Sequence, residues 1–151
     1  MNLNAKQQGL LKDLQSDEKM CAEKYRRAAQ QACDPVLKDM FSQIAQSEEG
    51  HFQAITQMMG GTVPQPRGVE AQRKMTPQEL RSKADAAGMQ KDQYLLSDLL
   101  ATEKFTAGVY NSSVFEFGDE QARQVLSGIQ QQEQHHGKRL SDYMQANNMY
   151  C

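Results

Sequence analysis

Two tetrapeptides hold the residue types that could do chemistry, Glu48-Glu49-Gly50-His51 and Glu133-Gln134-His135-His136. On a helix, residues three apart are neighbours on one face, so Glu48 with His51, and Glu133 with His136, each aim a carboxylate and an imidazole at one point. Each pair is half of a site for a metal ion. An offset of 85 residues carries the first pair onto the second, and it also carries Glu18-Lys19 onto Glu103-Lys104, Tyr25 onto Tyr110, Leu14 onto Leu99 and Ile44 onto Ile129. The chain reads as a helical hairpin present twice, which makes it all-α.

The elements that must position these residues follow from the spacing of apolar side chains. A first helix over residues 4–32 has Leu11, Leu14, Glu18, Cys21, Tyr25, Ala28 and Ala32 on one seam. Cys33-Asp34-Pro35 reads as a stop and restart, with Asp34 as N-cap and Pro35 in the first turn of a second, antiparallel helix. That helix carries Leu37, Phe41, Ile44, Glu48, His51, Ile55 and Met58 inward and ends at Gly60-Gly61, while Gly50 within it marks close packing. A connector over 60–88 has no helical period at first, but Thr76-Pro77-Gln78-Glu79 resembles a capping box, which predicts a short helix to Ala87 before Gly88. The third helix, from 89 to 117, turns Leu96, Leu99, Glu103, Thr106, Tyr110, Ser113 and Phe117 inward. Gly118-Asp119 repeats the turn, and a fourth helix ending near 146 turns Ala122, Leu126, Ile129, Glu133, His136, Leu140 and Tyr143 inward. One domain over 1–151 is expected, with hairpins at 4–59 and 89–147.

A connector of roughly 28 residues far exceeds the 2–8 usual between adjacent antiparallel helices, so the second and third helices are expected to run parallel, joined by a crossover along a four-helix bundle. The six polar seam residues lie 14 to 17 residues from their hairpin turns. At about 1.5 Å per residue that is about 21–26 Å, near the middle of helices some 43 Å long. Antiparallel packing of the hairpins would bring the half-sites together in the core. No Lys or Arg shares those seams. Burying four unpaired carboxylates would cost several kcal/mol each, most of a domain's stability. Two divalent ions would neutralise Glu18, Glu48, Glu103 and Glu133, with His51 and His136 as nitrogen donors. The alternative is a plain structural bundle whose carboxyls stay protonated.

A Glu on each of two helices plus Glu-x-x-His on each of the other two resembles the ferritin-like carboxylate-bridged di-iron and di-manganese proteins, which include ferritin, bacterioferritin and rubrerythrin. The resemblance implies a ferritin-like bundle in which Glu18 and Glu103 are terminal metal ligands, Glu48 and Glu133 bridges, and His51 and His136 the nitrogen ligands. It also matches Tyr25 and Tyr110 to a tyrosine that stands beside such ligands, although core aromatics whose hydroxyls find some partner would look the same. A narrower resemblance rests on Leu99-Leu100-Ala101-Thr102-Glu103-Lys104, Tyr110-Asn111-Ser112-Ser113, Arg123-Gln124-Val125-Leu126, Ile129-Gln130 and the ending Tyr143-Met144 to Met149-Tyr150. These stretches are similar to the spore coat protein F family of endospore-forming bacteria. That similarity implies a place in the spore coat, with other coat proteins or further copies of the chain as partners.

Four carboxylates and two imidazoles form a hard, oxygen-rich set that suits iron or manganese, while zinc would also bind but do no redox work. Two classes of function stay open. A di-iron or di-manganese oxidase or peroxidase would reduce O2 or peroxide there, whereas a structural coat component would use the metal only to cement its fold. The chain has no CxxC pair and hence no rubredoxin-like electron donor. Its net charge of −2 gives no basic footprint for nucleic acid or an acidic membrane. Residues 1–12 hold no signal-peptide core, and no run approaches the ~18 apolar residues of a membrane span, so synthesis in the cytoplasm is expected. Cys21 and Cys33 read as idle or buried thiols. Cys151, on a frayed tail, is expected to form intermolecular disulfides on oxidation.

Overall fold

The computed structural model describes residues 1–69 and 73–150. Cys151 and its expected disulfides lie outside the described residues. Four α-helices form, α1 (Ala5–Gln31), α2 (Pro35–Met59), α3 (Ala86–Ser113) and α4 (Glu120–Ala146), with a 3-10 turn at Val114–Glu116 and no strand among the described residues. Three of the four starts are capped by a nearby side chain. Asn4 and Gln7 exchange side-chain bonds in a capping box on α1, Asp85 accepts from Gly88 N at 2.8 Å on α3, and Asp119 accepts from Ala122 N at 2.7 Å on α4.

Hydrogen bonds between elements fix their directions. Tyr25 bonds Glu103 while Tyr110 bonds Glu18, so α1 and α3 are antiparallel. His136 meets Ser47 while Arg139 meets Gln43, so α2 and α4 are antiparallel too. With tight turns inside each helix pair, α2 and α3 must run the same way. The crossover between them starts at Gly61, whose φ of +89° suits glycine. It passes over α4 beside Gly128, where an added Cβ would stand 2.9 Å from the Arg67 carbonyl oxygen. At the far end Asn147 donates to the Leu80 carbonyl at 2.9 Å.

Two apolar clusters fill the bundle, one at each end. Tyr25, Phe41, Ile44, Leu96, Leu99 and Leu140 pack near the α1–α2 turn, and Leu11, Leu14, Ile55, Tyr110, Leu126 and Ile129 pack at the other end. Each such leucine contributes about 1.5–3 kcal/mol by leaving water. Between the clusters lies a polar layer.

Several local expectations are corrected. The predicted helix up to Ala87 is only a turn at residues 77–80. Thr76 and Glu79 do exchange hydrogen bonds, but the next backbone donors turn to distant acceptors, Ser82 N to Asn147 Oδ1 and Lys83 N to Asp34 Oδ1. Tertiary bonds outcompete a second helical turn. The third helix starts before Gly88 rather than after it, and Gly88 fits because a Cβ there would sit 3.1 Å from Cys33 Cβ. It also ends at Ser113, short of Phe117, which follows the 3-10 turn. Asp34 occupies the N-cap position of α2 without capping it, since its carboxylate accepts from Tyr143 Oη at 2.6 Å and from Lys83 N. Asp92 covers the backbone of that turn instead, accepting from Cys33 N and Asp34 N. Of the two described thiols, Cys21 is buried and Cys33 exposed.

Candidate metal centre

The polar layer holds Glu18 from α1, Glu48 and His51 from α2, Glu103 from α3, and Glu133 and His136 from α4, all buried. His51 Nδ1 lies 2.7 Å from Glu133 Oε1, 3.2 Å from Glu48 Oε2 and 3.6 Å from Glu18 Oε2. His136 Nδ1 lies 3.0 Å from Glu48 Oε1 and 3.4 Å from Glu103 Oε1. The two imidazoles stack with centroids 5.9 Å apart. Donor atoms fall into two quartets, each within 4.8 Å: Glu18, Glu48, His51 and Glu133, and Glu48, Glu103, Glu133 and His136. Glu48 and Glu133 belong to both.

The tyrosines cross from one hairpin to the other. Tyr25 Oη donates to Glu103 Oε1 and Tyr110 Oη to Glu18 Oε1, each at 2.6 Å. Burial, and then the neighbouring glutamates, push both phenols well above their ordinary range, so they remain donors. The other oxygens of those two glutamates, Glu18 Oε2 and Glu103 Oε2, and both oxygens of Glu133, are buried with no hydrogen bond. Glu133 Oε1 is close to His51 Nδ1 yet out of line for one. An unsatisfied buried acceptor costs about 1–3 kcal/mol, and more if charged. Four such oxygens converging with two imidazole nitrogens have the chemistry of a metal-ion site.

The protonation pattern has the same origin. Burial, and then the charge of Glu48, push Glu18 up to about 8. Burial followed by the charges of Glu18 and Glu48 holds Glu133 well above the carboxylate range, and burial raises Glu103. Glu48 alone is held well below, because hydrogen bonds from His136 and His51 outweigh its burial. Burial would lower both imidazoles, but the carboxylates raise His51 well above its ordinary value and His136 to about 9. Without metal, protons supply the positive charge that cations would supply.

Ser47 and Gln132 complete the setting, and the seams did not point to them. His136 Nε2 meets Ser47 Oγ at 3.0 Å, and His51 Nε2 meets Gln132 Oε1. Gln132 Nε2 donates to the carbonyls of Arg67 and Gly68 in the crossover, at 3.1 and 3.3 Å, which fixes Oε1 as the atom facing the ring. An accepting oxygen there keeps the His51 proton on Nε2 and turns Nδ1 to the carboxylates. The missed signal was the repeat itself, since 47 and 132 are also 85 apart and each immediately precedes a shared glutamate. Cys21 Sγ and Thr106 Oγ1, another pair at that offset, meet at 3.6 Å. Burial, and then the charge of Glu48, raise the Cys21 thiol, and its sulfur falls outside both quartets. Glu49 and His135, beside the motifs, fall outside both quartets. A cleft between the crossover and the outer face of α2 and α4 reaches His51, His136, Gln132 and His135.

Residues 91–150 match the family model of the Coat F domain, a stretch that holds Glu103, Glu133 and His136. No curated protein and no solved structure matches the chain. Among the described residues no helix is long and apolar enough to cross a membrane. Through its second pair of helices, this all-helical chain is similar to the Coat F domain.

Proposed function

We propose that the chain is a single ferritin-like domain of the spore coat, built by duplication of a helical hairpin, that holds two metal ions, iron or manganese, in a carboxylate-bridged centre. The observation that carries this reading is the sharing of Glu48 and Glu133 between two donor quartets in which Glu18 Oε2, Glu103 Oε2 and both oxygens of Glu133 lack a hydrogen bond. Glu48 and Glu133 would bridge, Glu18 with His51 would complete one half, and Glu103 with His136 the other. A bound di-iron or di-manganese pair would supply two-electron redox chemistry towards O2 or peroxide.

The chain's own residues then have definite tasks. Tyr25 and Tyr110 each occupy one oxygen of a terminal glutamate, which leaves the other oxygen for an ion. Gln132 and Ser47 orient the imidazoles. The cleft beside the histidines gives a small oxidant a way in, and the apolar clusters above and below exclude bulk water. A second reading, metal as cement alone, draws on the same cross-links, because ions in this layer would tie all four helices together. Oxygen and peroxide consumption by the iron-loaded protein with an excess of chemical reductant separates the two. Turnover above that of free iron, abolished by Glu48→Ala, supports the oxidase or peroxidase reading, and none leaves the structural one.

A further inference from the structure

The outward face of α3 is unlike the outward faces of the other helices. Seven large hydrophobic side chains are exposed among the described residues, and three of them, Tyr94 (73%), Phe105 (65%) and Phe115 (81%), lie on α3 or the turn that continues it. Between them Ala101, Gly108 and Ser112 are exposed as well. Steps of three and four residues place Tyr94, Asp98, Ala101, Phe105, Gly108 and Ser112 in one stripe, opposite the face that carries Glu103, with Phe115 at its edge. One charged residue, Asp98, stands in that stripe between Tyr94 and Ala101, where Lys24 of α1 reaches its carboxylate at 3.0 Å from the rim. Monomeric proteins rarely expose aromatic rings in such a row.

The order of sizes along the stripe is a palindrome. Tyr94 pairs with Phe115, and Ala101 with Gly108, about one common centre between Lys104 and Phe105. A two-fold axis there would lay two α3 helices antiparallel, each large ring against its counterpart, Ala101 opposite Gly108 and the Asp98 carboxylate opposite the Ser112 hydroxyl, with Phe105 at the axis. Self-complementarity of this kind is what an isologous dimer requires. The charges at the rim agree. Lys91 and Glu116 flank the stripe on the same side at opposite ends, so each would face the other across the axis, forming two ion pairs. In the single chain Glu116 pairs with exposed Lys6 at 3.0 Å, a contact of little worth. Lys104, on the other rim, would come beside its own copy.

We propose that α3 is the contact face of a homodimer, with a second copy of this chain as its occupant. A stripe about 30 Å long and one helix wide buries less than the roughly 800 Å² per partner of a standard interface, so the dimer is concentration-dependent. This assignment is independent of the metal centre.

Sedimentation velocity on the full chain under thiol reductant, over a wide concentration range, tests it. The wild type is expected to pass from monomer to dimer, and Phe105→Glu to weaken dimerisation roughly tenfold or more. Because Phe105 is exposed, that variant is expected to keep its helical circular dichroism and melting temperature. Lys91→Glu and Glu116→Lys each weaken association, their combination restores it, and Lys104→Gln strengthens it. A wild type that stays monomeric throughout, a Phe105→Glu protein that dimerises equally well, or a charge swap without restoration would each overturn the proposal.

Discussion

The two halves of the polar layer carry the same side-chain types, glutamate and histidine, yet are braced differently. On the His136 side the support ends at a short hydroxyl, Ser47 Oγ, on the neighbouring helix. On the His51 side it continues through Gln132 into the backbone of the crossover, linking α2, α4 and the Arg67-Gly68 segment in one chain of bonds. Gly128, one turn before Gln132, is what lets the crossover approach, because a side chain there would meet the Arg67 carbonyl at 2.9 Å. The 85-residue offset gives the two halves like side chains, and the crossover, which exists once, makes their surroundings unequal. We expect the His51 half to hold its ion more tightly.

The largest effect that could break this comparison comes from the shared residues. Glu48→Ala and Glu133→Ala each remove a donor from both quartets and are expected to abolish binding of both ions, whereas Glu18→Ala or Glu103→Ala leaves one. Glu49→Ala and His135→Ala, outside both quartets, leave two. Metal analysis after desalting reads all six variants, and equal stoichiometry across the set would remove the ligand assignment.

Melting as a function of pH comes next. Without metal, Glu18 near 8 and His136 near 9 both lie above their unfolded values of 4.5 and 6.5. The folded state therefore binds more protons than the unfolded one, and their contribution is present at low pH and lost as pH rises through about 8 to 9. Glu48, held low, works the opposite way, but only below its unfolded value of 4.5. The metal-free protein is thus expected to melt lower at pH 9 than at pH 6. Metal binds the deprotonated ligands and gains affinity over the same window. At a hundredfold excess over Kd it adds about 2.7 kcal/mol, roughly 5–10 °C for a chain of this size. Calorimetry with and without chelator checks the widening gap, and a chelator without effect at any pH would contradict the account.

The smallest effect sharpens the comparison most. Gln132→Ala is expected to weaken the tighter of the two binding steps by about tenfold, the usual scale for losing a bond to a ligating histidine, and Ser47→Ala the weaker step by less. Titration with Co2+, followed by its visible bands, resolves the steps. Gln132→Ser should make them alike, and identical isotherms for Gln132→Ala and wild type would show that the crossover plays no part.

How much of this was legible in the sequence follows from the range of each signal. Helix seams and the 85-residue offset are repeated, local signals, so the four helices and the six residues of the polar layer could be read directly. The bracing was not legible, since nothing in the spacing says that a Gln reaches a crossover carbonyl 65 residues away. The turn at 77–80 shows the same limit. Its capping signal is real, but the acceptors that end it, Asn147 and Asp34, come from other parts of the chain. Asp34 misled in the other direction, because the best local role for its carboxylate lost to Tyr143 across the bundle.

The measurement closest to the central claim is the number of ions per chain. Tag-free protein, stripped with chelator, reloaded anaerobically with excess Fe2+ or Mn2+ and desalted, is expected to retain two equivalents, and one or none in the Glu18→Ala and Glu48→Ala proteins respectively. Wild-type protein that is folded by circular dichroism yet retains no ion would contradict the centre, and a single equivalent would contradict its shared carboxylates.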